Sequence, residues 1–195
     1  MSKANLLRLN KLLNSNEDFD ESLAKEYLFN IRRIKNNENN FITTEQKITF
    51  TSFQDIKYKN ILSNLNTIEF ILNIFKDNND VIPIIQGSYA DGTAYEGWSD
   101  LDMVLFIKEE MNISKLEDIY KKIKIIMNHI LFSIQPLQHH GIFIIDKQGL
   151  NLYPESFMPF QAFKNAISYK KDEILLNEYL ETNYFLDILE DRYQY

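Results

Sequence analysis

Three features of the sequence predict an α+β fold, a small mixed sheet of at least three strands flanked by helices, with further helical segments at both ends of the chain. Apolar residues recur every three to four positions over much of the first 76 residues and again over Lys115–Ile130, the spacing of amphipathic helices. Short runs of consecutive apolar residues, bounded by turn-forming residues, lie between and after them, as in strands buried on both faces. The order strand, helix, strand then calls for a parallel pair joined by a crossover.

Leu6, Leu9 and Leu13 mark a first helical stripe, and Leu23, Tyr27, Ile31 and Ile34 a second, so residues 1–50 are expected to form a helical extension that packs through these faces. Thr43 with Gln46, and Ser52 with Asp55, have the spacing of capping boxes. They place one or two helices between Thr44 and Lys76, with Ile61, Leu65, Ile68 and Leu72 on the buried side. The turn cluster Asp77-Asn78-Asn79-Asp80 then gives way to the apolar run Val81–Ile85, the first strand. Pro83 has no amide hydrogen for a ladder, which directs this strand toward a sheet edge or an irregularity near its start. A second strand spans Asp100–Ile107, antiparallel to the first. The Leu116, Ile119, Ile123 and Ile126 spacing makes Lys115–Ile130 a helix, and His140–Ile145 is a third strand. Two more helices are expected near Phe160–Ser168 and Lys171–Leu189. Residues 51–195 thus form one domain, with its core sheet at about 81–146 and C-terminal helices over 159–190, and no repeat or flexible linker interrupts it.

Composition narrows the class of molecule. A chain of 195 residues that is 45% hydrophobic can bury a single core without a metal or disulfide staple. The absence of cysteine excludes a disulfide framework, a Cys-ligated metal and a cysteine nucleophile, and suits a reducing, cytoplasmic setting. With 21 Lys+Arg against 28 Asp+Glu the net charge is -7, which makes extended nucleic acid a poor partner. The leucines of Met1–Asn16 are interrupted by Lys3, Arg8 and Lys11, unlike a signal peptide. No stretch approaches the ~20 apolar residues of a membrane span.

The glycines carry the sharpest functional signal. The chain has five, and Gly87, Gly92 and Gly97 fall within eleven residues. Gly87-Ser88 directly follows the first strand, where the lack of side-chain bulk lets a phosphate approach backbone N–H groups and a hydroxyl adds another donor. Further on comes Ser99-Asp100-Leu101-Asp102, followed by the apolar Met103-Val104-Leu105-Phe106. In a strand, residues i and i+2 face the same way, with Cα atoms about 6.6 Å apart, so Asp100 and Asp102 would present two carboxylates to one point. Carboxylates beside a phosphate-binding turn would repel the anion that the turn attracts, and a cation resolves the conflict. Magnesium is commonly held in this way, by one or two carboxylates plus substrate phosphates.

Gly87-Ser88 followed by Asp100-Leu101-Asp102, with apolar flanks, resembles the hG[GS]…DhDh signature of the DNA polymerase beta-like nucleotidyltransferase superfamily. The resemblance covers Val81–Ile107 well and the strand–helix–strand order up to Asp146 loosely. It implies a nucleotidyltransferase-like sheet in which Gly87 and Ser88 hold the triphosphate of a nucleotide, Asp100 and Asp102 bind Mg²⁺, and a third acidic residue on a later strand helps activate an acceptor hydroxyl. The third acid is where this sequence departs from the pattern. The N-terminal end of the third strand, which would lie beside Asp100 and Asp102, reads Gln138-His139-His140-Gly141, and Asp146 comes six residues after His140, about 20 Å along a strand. Either a histidine replaces the acid, or the site keeps nucleotide and metal without efficient transfer. Adjacent histidines point to opposite faces, so only one can join the site. His140 is the candidate base, since a histidine near its usual pKa is neutral often enough at pH 7 to accept a hydroxyl proton.

Other residues have simpler expected roles. His129 is structural. Tyr95 and the single tryptophan, Trp98, are expected to close their loop against the core, with stacking on a nucleobase as a second role. Lys121, Lys122 and Lys124 read as a solvated helix face, and Glu110, Glu117 and Asp118 as surface residues. The function these residues imply is Mg²⁺-dependent transfer of a nucleoside monophosphate, from a triphosphate such as ATP, to a hydroxyl of a small molecule or a protein. The alternatives are a catalytically degenerate nucleotide-binding or regulatory module, and an interaction protein that docks a partner through its helical ends.

Overall fold

A computed structural model describes residues 21–22, 24–25, 28–29, 43–56, 64–95, 98–134, 142–151, 153 and 158–179. They build a mixed α/β structure on a six-stranded sheet. Its strands are β1 (Thr43–Ser52), β2 (Val81–Gln86), β3 (Asp102–Ile107), β4 (Phe143–Ile145), β5 (Ile167–Ser168) and β6 (Asp172–Tyr179), in the order β4-β3-β2-β5-β1-β6. The helices are α1 (Leu65–Asn73), α2 (Ser88–Asp91), α3 (Ile113–Ser133) and α4 (Lys147–Asn151), with 3₁₀ turns at Phe53–Asp55 and Phe160–Phe163. The described residues between 21 and 29 are also helical. No helix among the described residues is long and apolar enough to cross a membrane.

The strands β2 and β3 pair antiparallel and β3 and β4 pair parallel, as the element order requires. The helix α3 makes the crossover between the parallel pair. Its 21 residues span about 31 Å, and the Asn112 side chain caps its start by accepting from the Lys115 amide at 2.9 Å.

Strand periodicity divides the core in two. Val81, Ile85, Met103, Leu105 and Ile144 face a cluster completed by α1 and α3 through Ile68, Leu72, Ile119 and Ile123, with Ala24 and Leu28 of the N-terminal helical residues packed in. Their neighbours Ile82, Ile84, Val104, Phe106 and Ile145 face the other way. There Phe106 stacks on Phe50 with centroids 5.7 Å apart and meets the edge of Phe163 at 5.5 Å. The Tyr153 hydroxyl, on the same side, donates to the Met158 carbonyl at 2.6 Å.

Four expectations need correction. Thr43–Ser52, expected to end a helical extension and begin a helix, is β1. Its Thr-rich sequence suits a strand, and it pairs antiparallel with β6 from Thr43↔Tyr179 to Phe50↔Asp172. The Ser52 side chain nonetheless caps the following 3₁₀ turn by accepting from the Gln54 amide. Within the expected helix Lys171–Leu189, residues 172–179 are strand β6: Ile174 and Leu176 are buried while Glu173 and Leu175 are exposed, a period of two that cross-strand pairing rewards. The expected helix at Phe160–Ser168 divides into a 3₁₀ turn and β5. Pro83 is interior to the sheet, opposite Leu105 of β3; it is tolerated because β5, on the other flank, pairs only with Ile84 and Ile85. The stripe residues Leu6, Leu9, Leu13, Leu23, Tyr27, Ile31 and Ile34, with Ile61 and the stretch beyond Tyr179, lie outside the described residues.

Candidate functional site

The site is built where β2 ends and β3 begins. Gln86 and Asp102 are cross-strand partners. Period two places Gln86 in line with Ile82 and Ile84, and Asp102 in line with Val104 and Phe106, so both belong to the Phe106 face of the sheet. Gly87 then turns the chain with φ 66° and ψ -148°, a region open essentially to glycine alone. Space demands glycine as well, because a Cβ there would lie 2.5 Å from Oδ2 of Asp102. The Asp102 carboxylate thus rests against the bare Cα of the turn. The next turn closes on itself: the Ala90 and Asp91 amides donate to the Gly87 carbonyl at 3.0 Å, and the Thr93 amide to the Ser88 carbonyl at 2.9 Å. Gly92, at φ 72°, ends α2 in the left-handed conformation.

A pocket of about 360 Å³ opens from this corner. Gln86, Gly87 and Asp102 form one wall, Phe143 at the start of β4 another, and Met158, Gln161, Ala162, Lys164 and Asn165 the side contributed by the second 3₁₀ turn and its flanks. Asp91 lies at the rim, where its carboxylate accepts from the Asn165 side-chain amide at 2.7 Å. This bond ties α2 to the segment after the 3₁₀ turn. Gln86 is 7% exposed; its Nε2 donates to Sδ of Met158 at 3.2 Å, and its buried Oε1 receives no hydrogen bond among the described residues.

Gly87 and Asp102 are therefore brought together, as expected. Ser88 begins α2 and is half-buried. Asp100, also half-buried, precedes the ladder rather than belonging to it, since β3 begins at Asp102; the expectation of two carboxylates on one strand is corrected to one on the strand and one in the loop before it. His139 and His140 lie outside the described residues. Asp146 is 2% exposed and caps α4, accepting from the Gly149 amide at 2.8 Å, a structural use of the only acid that follows the third strand closely. His129 packs against Phe70 with ring centroids 4.0 Å apart.

Tyr95 and Trp98 are 76% and 82% exposed, so neither closes its loop against the core. The loop is held by its own backbone and by Ser99, whose Oγ accepts from the Tyr95 amide at 2.8 Å. The α3 lysines lie on a solvated face, with Lys121 paired to Glu117, Lys122 to Asp118 and Lys124 over the Tyr120 ring.

Among the described residues, no three His, Cys, Asp or Glu side chains gather into a group able to hold a metal ion. Asp102 lines the pocket, whereas Asp100 and Ser88 are not among its lining residues; a carboxylate such as that of Asp102 is the kind of hard oxygen donor that suits Mg²⁺ when substrate phosphates complete the shell. Sequence reasoning missed Gln86 and the 158–165 wall. The signal for Gln86 was available, because it continues the strand repeat Ile82, Ile84, Gln86 immediately before Gly87. No family model, curated protein or solved structure matches the chain.

Proposed function

We propose that the protein is a Mg²⁺-dependent nucleotidyltransferase that moves a nucleoside monophosphate from a triphosphate such as ATP to a hydroxyl. The observation that carries this reading is the contact between the Asp102 carboxylate and the bare Cα of Gly87. A turn that exposes backbone to a phosphate gains nothing from an abutting carboxylate unless a cation lies between carboxylate and phosphate. Gly87 and Ser88 would hold the triphosphate, and Asp100 and Asp102 would hold the metal. Magnesium supplies charge neutralisation at the phosphate oxygens when bound there. The acceptor oxygen forms a bond to the α-phosphorus, the bond from that phosphorus to the bridging oxygen breaks, and pyrophosphate leaves. His140 is proposed to take the acceptor's proton. The net charge of -7 favours a small-molecule or protein acceptor over nucleic acid, and the lack of cysteine supports a cytoplasmic setting.

A nucleotide-binding module without transfer is the second reading, favoured by the use of Asp146 as a helix cap. Incubation with ATP labelled at the α-phosphate and Mg²⁺ separates the two. Pyrophosphate release and label transfer, lost by about two to three orders of magnitude in Asp102→Asn, are expected for the transferase. Binding without turnover over a panel of acceptors supports the module, and a melting temperature that ATP and Mg²⁺ leave unchanged removes both.

A further inference from the structure

Tyr95 and Trp98 stand among the most exposed large side chains of the described residues, and they share one loop. That loop closes on itself: the Trp98 and Ser99 amides both donate to the Tyr95 carbonyl, at 3.1 and 2.9 Å, and the Ser99 hydroxyl accepts from the Tyr95 amide. The backbone at both residues is therefore tied down while the rings stay in solvent. Neither ring lines the pocket beside Gly87 and Asp102, which separates them from a nucleotide seated there.

Charge names the partner. From residue 77 to residue 107 the sequence holds six acids and no lysine or arginine, so the stretch that carries the loop supplies rings and carboxylates but no cation. Elsewhere the chain lays its own lysines on aromatic faces, Lys122 over Phe75 at 5.3 Å and Lys124 over Tyr120 at 4.8 Å. We propose that the Tyr95–Trp98 loop is a docking surface for a partner protein, which presents a short segment bearing arginine or lysine. Guanidinium and ammonium groups are drawn to ring faces and to carboxylates alike, whereas the phosphates of a nucleic acid are repelled. Tyr and Trp offer large, rigid contact area at small entropic cost, and with Arg they dominate the binding energy of protein interfaces. The surface is independent of the transferase reading, since neither ring belongs to the pocket and docking needs no nucleotide.

Trp98 is the only tryptophan of the chain, so tryptophan fluorescence reports on this loop. Titrating the full chain with a peptide of alternating glycine and arginine, and with matched glutamate and glutamine peptides, tests the proposal. The arginine peptide is expected to shift the emission to saturation, with the other two about tenfold weaker or worse. Tyr95→Ala, which keeps the reporter, should weaken the arginine peptide about fivefold, and Trp98→Ala, followed by calorimetry, about tenfold. Phe132→Ala removes a comparably exposed aromatic from α3 and should leave the affinity unchanged. Equal binding of the three peptides overturns the proposal. So does arginine-peptide binding that neither loop variant weakens, because attraction to the net charge of -7 then accounts for it. Emission that responds to ATP and Mg²⁺ but not to the arginine peptide assigns the rings to a nucleobase and overturns the docking surface. Emission that changes only on dilution of the protein, with dimers in sedimentation, assigns them to a second copy and overturns it as well.

Discussion

The two faces of the sheet are covered differently. On one, α1 and α3 lay regular apolar stripes over β2, β3 and β4. On the other, short irregular pieces close over Phe106: a 3₁₀ turn, α4 and the Tyr153–Met158 hydrogen bond. The pocket and the unpaired Gln86 oxygen belong to this second face. Helices cover a sheet with repeating geometry and leave little room for exceptions, whereas irregular segments can stop short of closure and leave a cavity with polar walls. The pocket beside Gly87 and Asp102 thus opens on the irregularly covered side.

Ile144 and Ile145 test that division most severely, because they are adjacent, fully buried and on opposite faces. Ile144→Ala should cost toward the upper end of about 2–5 kcal/mol and Ile145→Ala toward the lower end, since the irregular side can collapse further around a lost side chain. Urea midpoints measure both, and equal or reversed costs would break the comparison.

Gly87→Ala is expected to cost somewhat less, about 1–3 kcal/mol for the backbone conformation alone. The added methyl must also displace the Asp102 carboxylate. The variant should therefore lose stabilisation by ATP and Mg²⁺ even at temperatures where it remains folded, as melting curves with and without ligand would show.

Gln86→Met should move stability the other way, by about 1 kcal/mol, because it removes the unpaired carbonyl and places an apolar side chain of similar length in its position. A stabilised variant would sharpen the contrast between the faces; a destabilised one would show that the amide is needed by the fold. The smallest effect is expected on the solvated side of α3. Glu117→Gln breaks the exposed pair with Lys121, and its midpoint should shift by about 0.3 kcal/mol or less, an effect that added salt erases.

The same contrast explains what was legible in the sequence. The helix α3, the strands β2 and β3 and their antiparallel pairing could be read because their apolar residues repeat with the period of the element and their turns are marked by Asn, Asp and Gly. The closeness of Gly87 and Asp102 could be read because one follows and the other begins a pair of antiparallel strands. The 158–165 wall could not, since a 3₁₀ turn has no period and Met158, Ala162 and Asn165 carry no motif. The strands β1 and β6 were hidden by a local conflict: Thr43 and Gln46 mimic a cap and Leu175 blurs an alternation, yet long-range pairing decided both segments.

One feature of the sheet bears on its mechanics. Between the half that carries Gly87 and Asp102 and the ribbon of β1 and β6, the backbone ladder narrows to Ile167 and Ser168. That two-residue bridge is a seam along which the sheet can open while both halves keep their own pairing. Amide protons on the seam should exchange sooner than those of β3, and pulling the chain from β6 should unzip the ribbon before any load reaches the glycine turn.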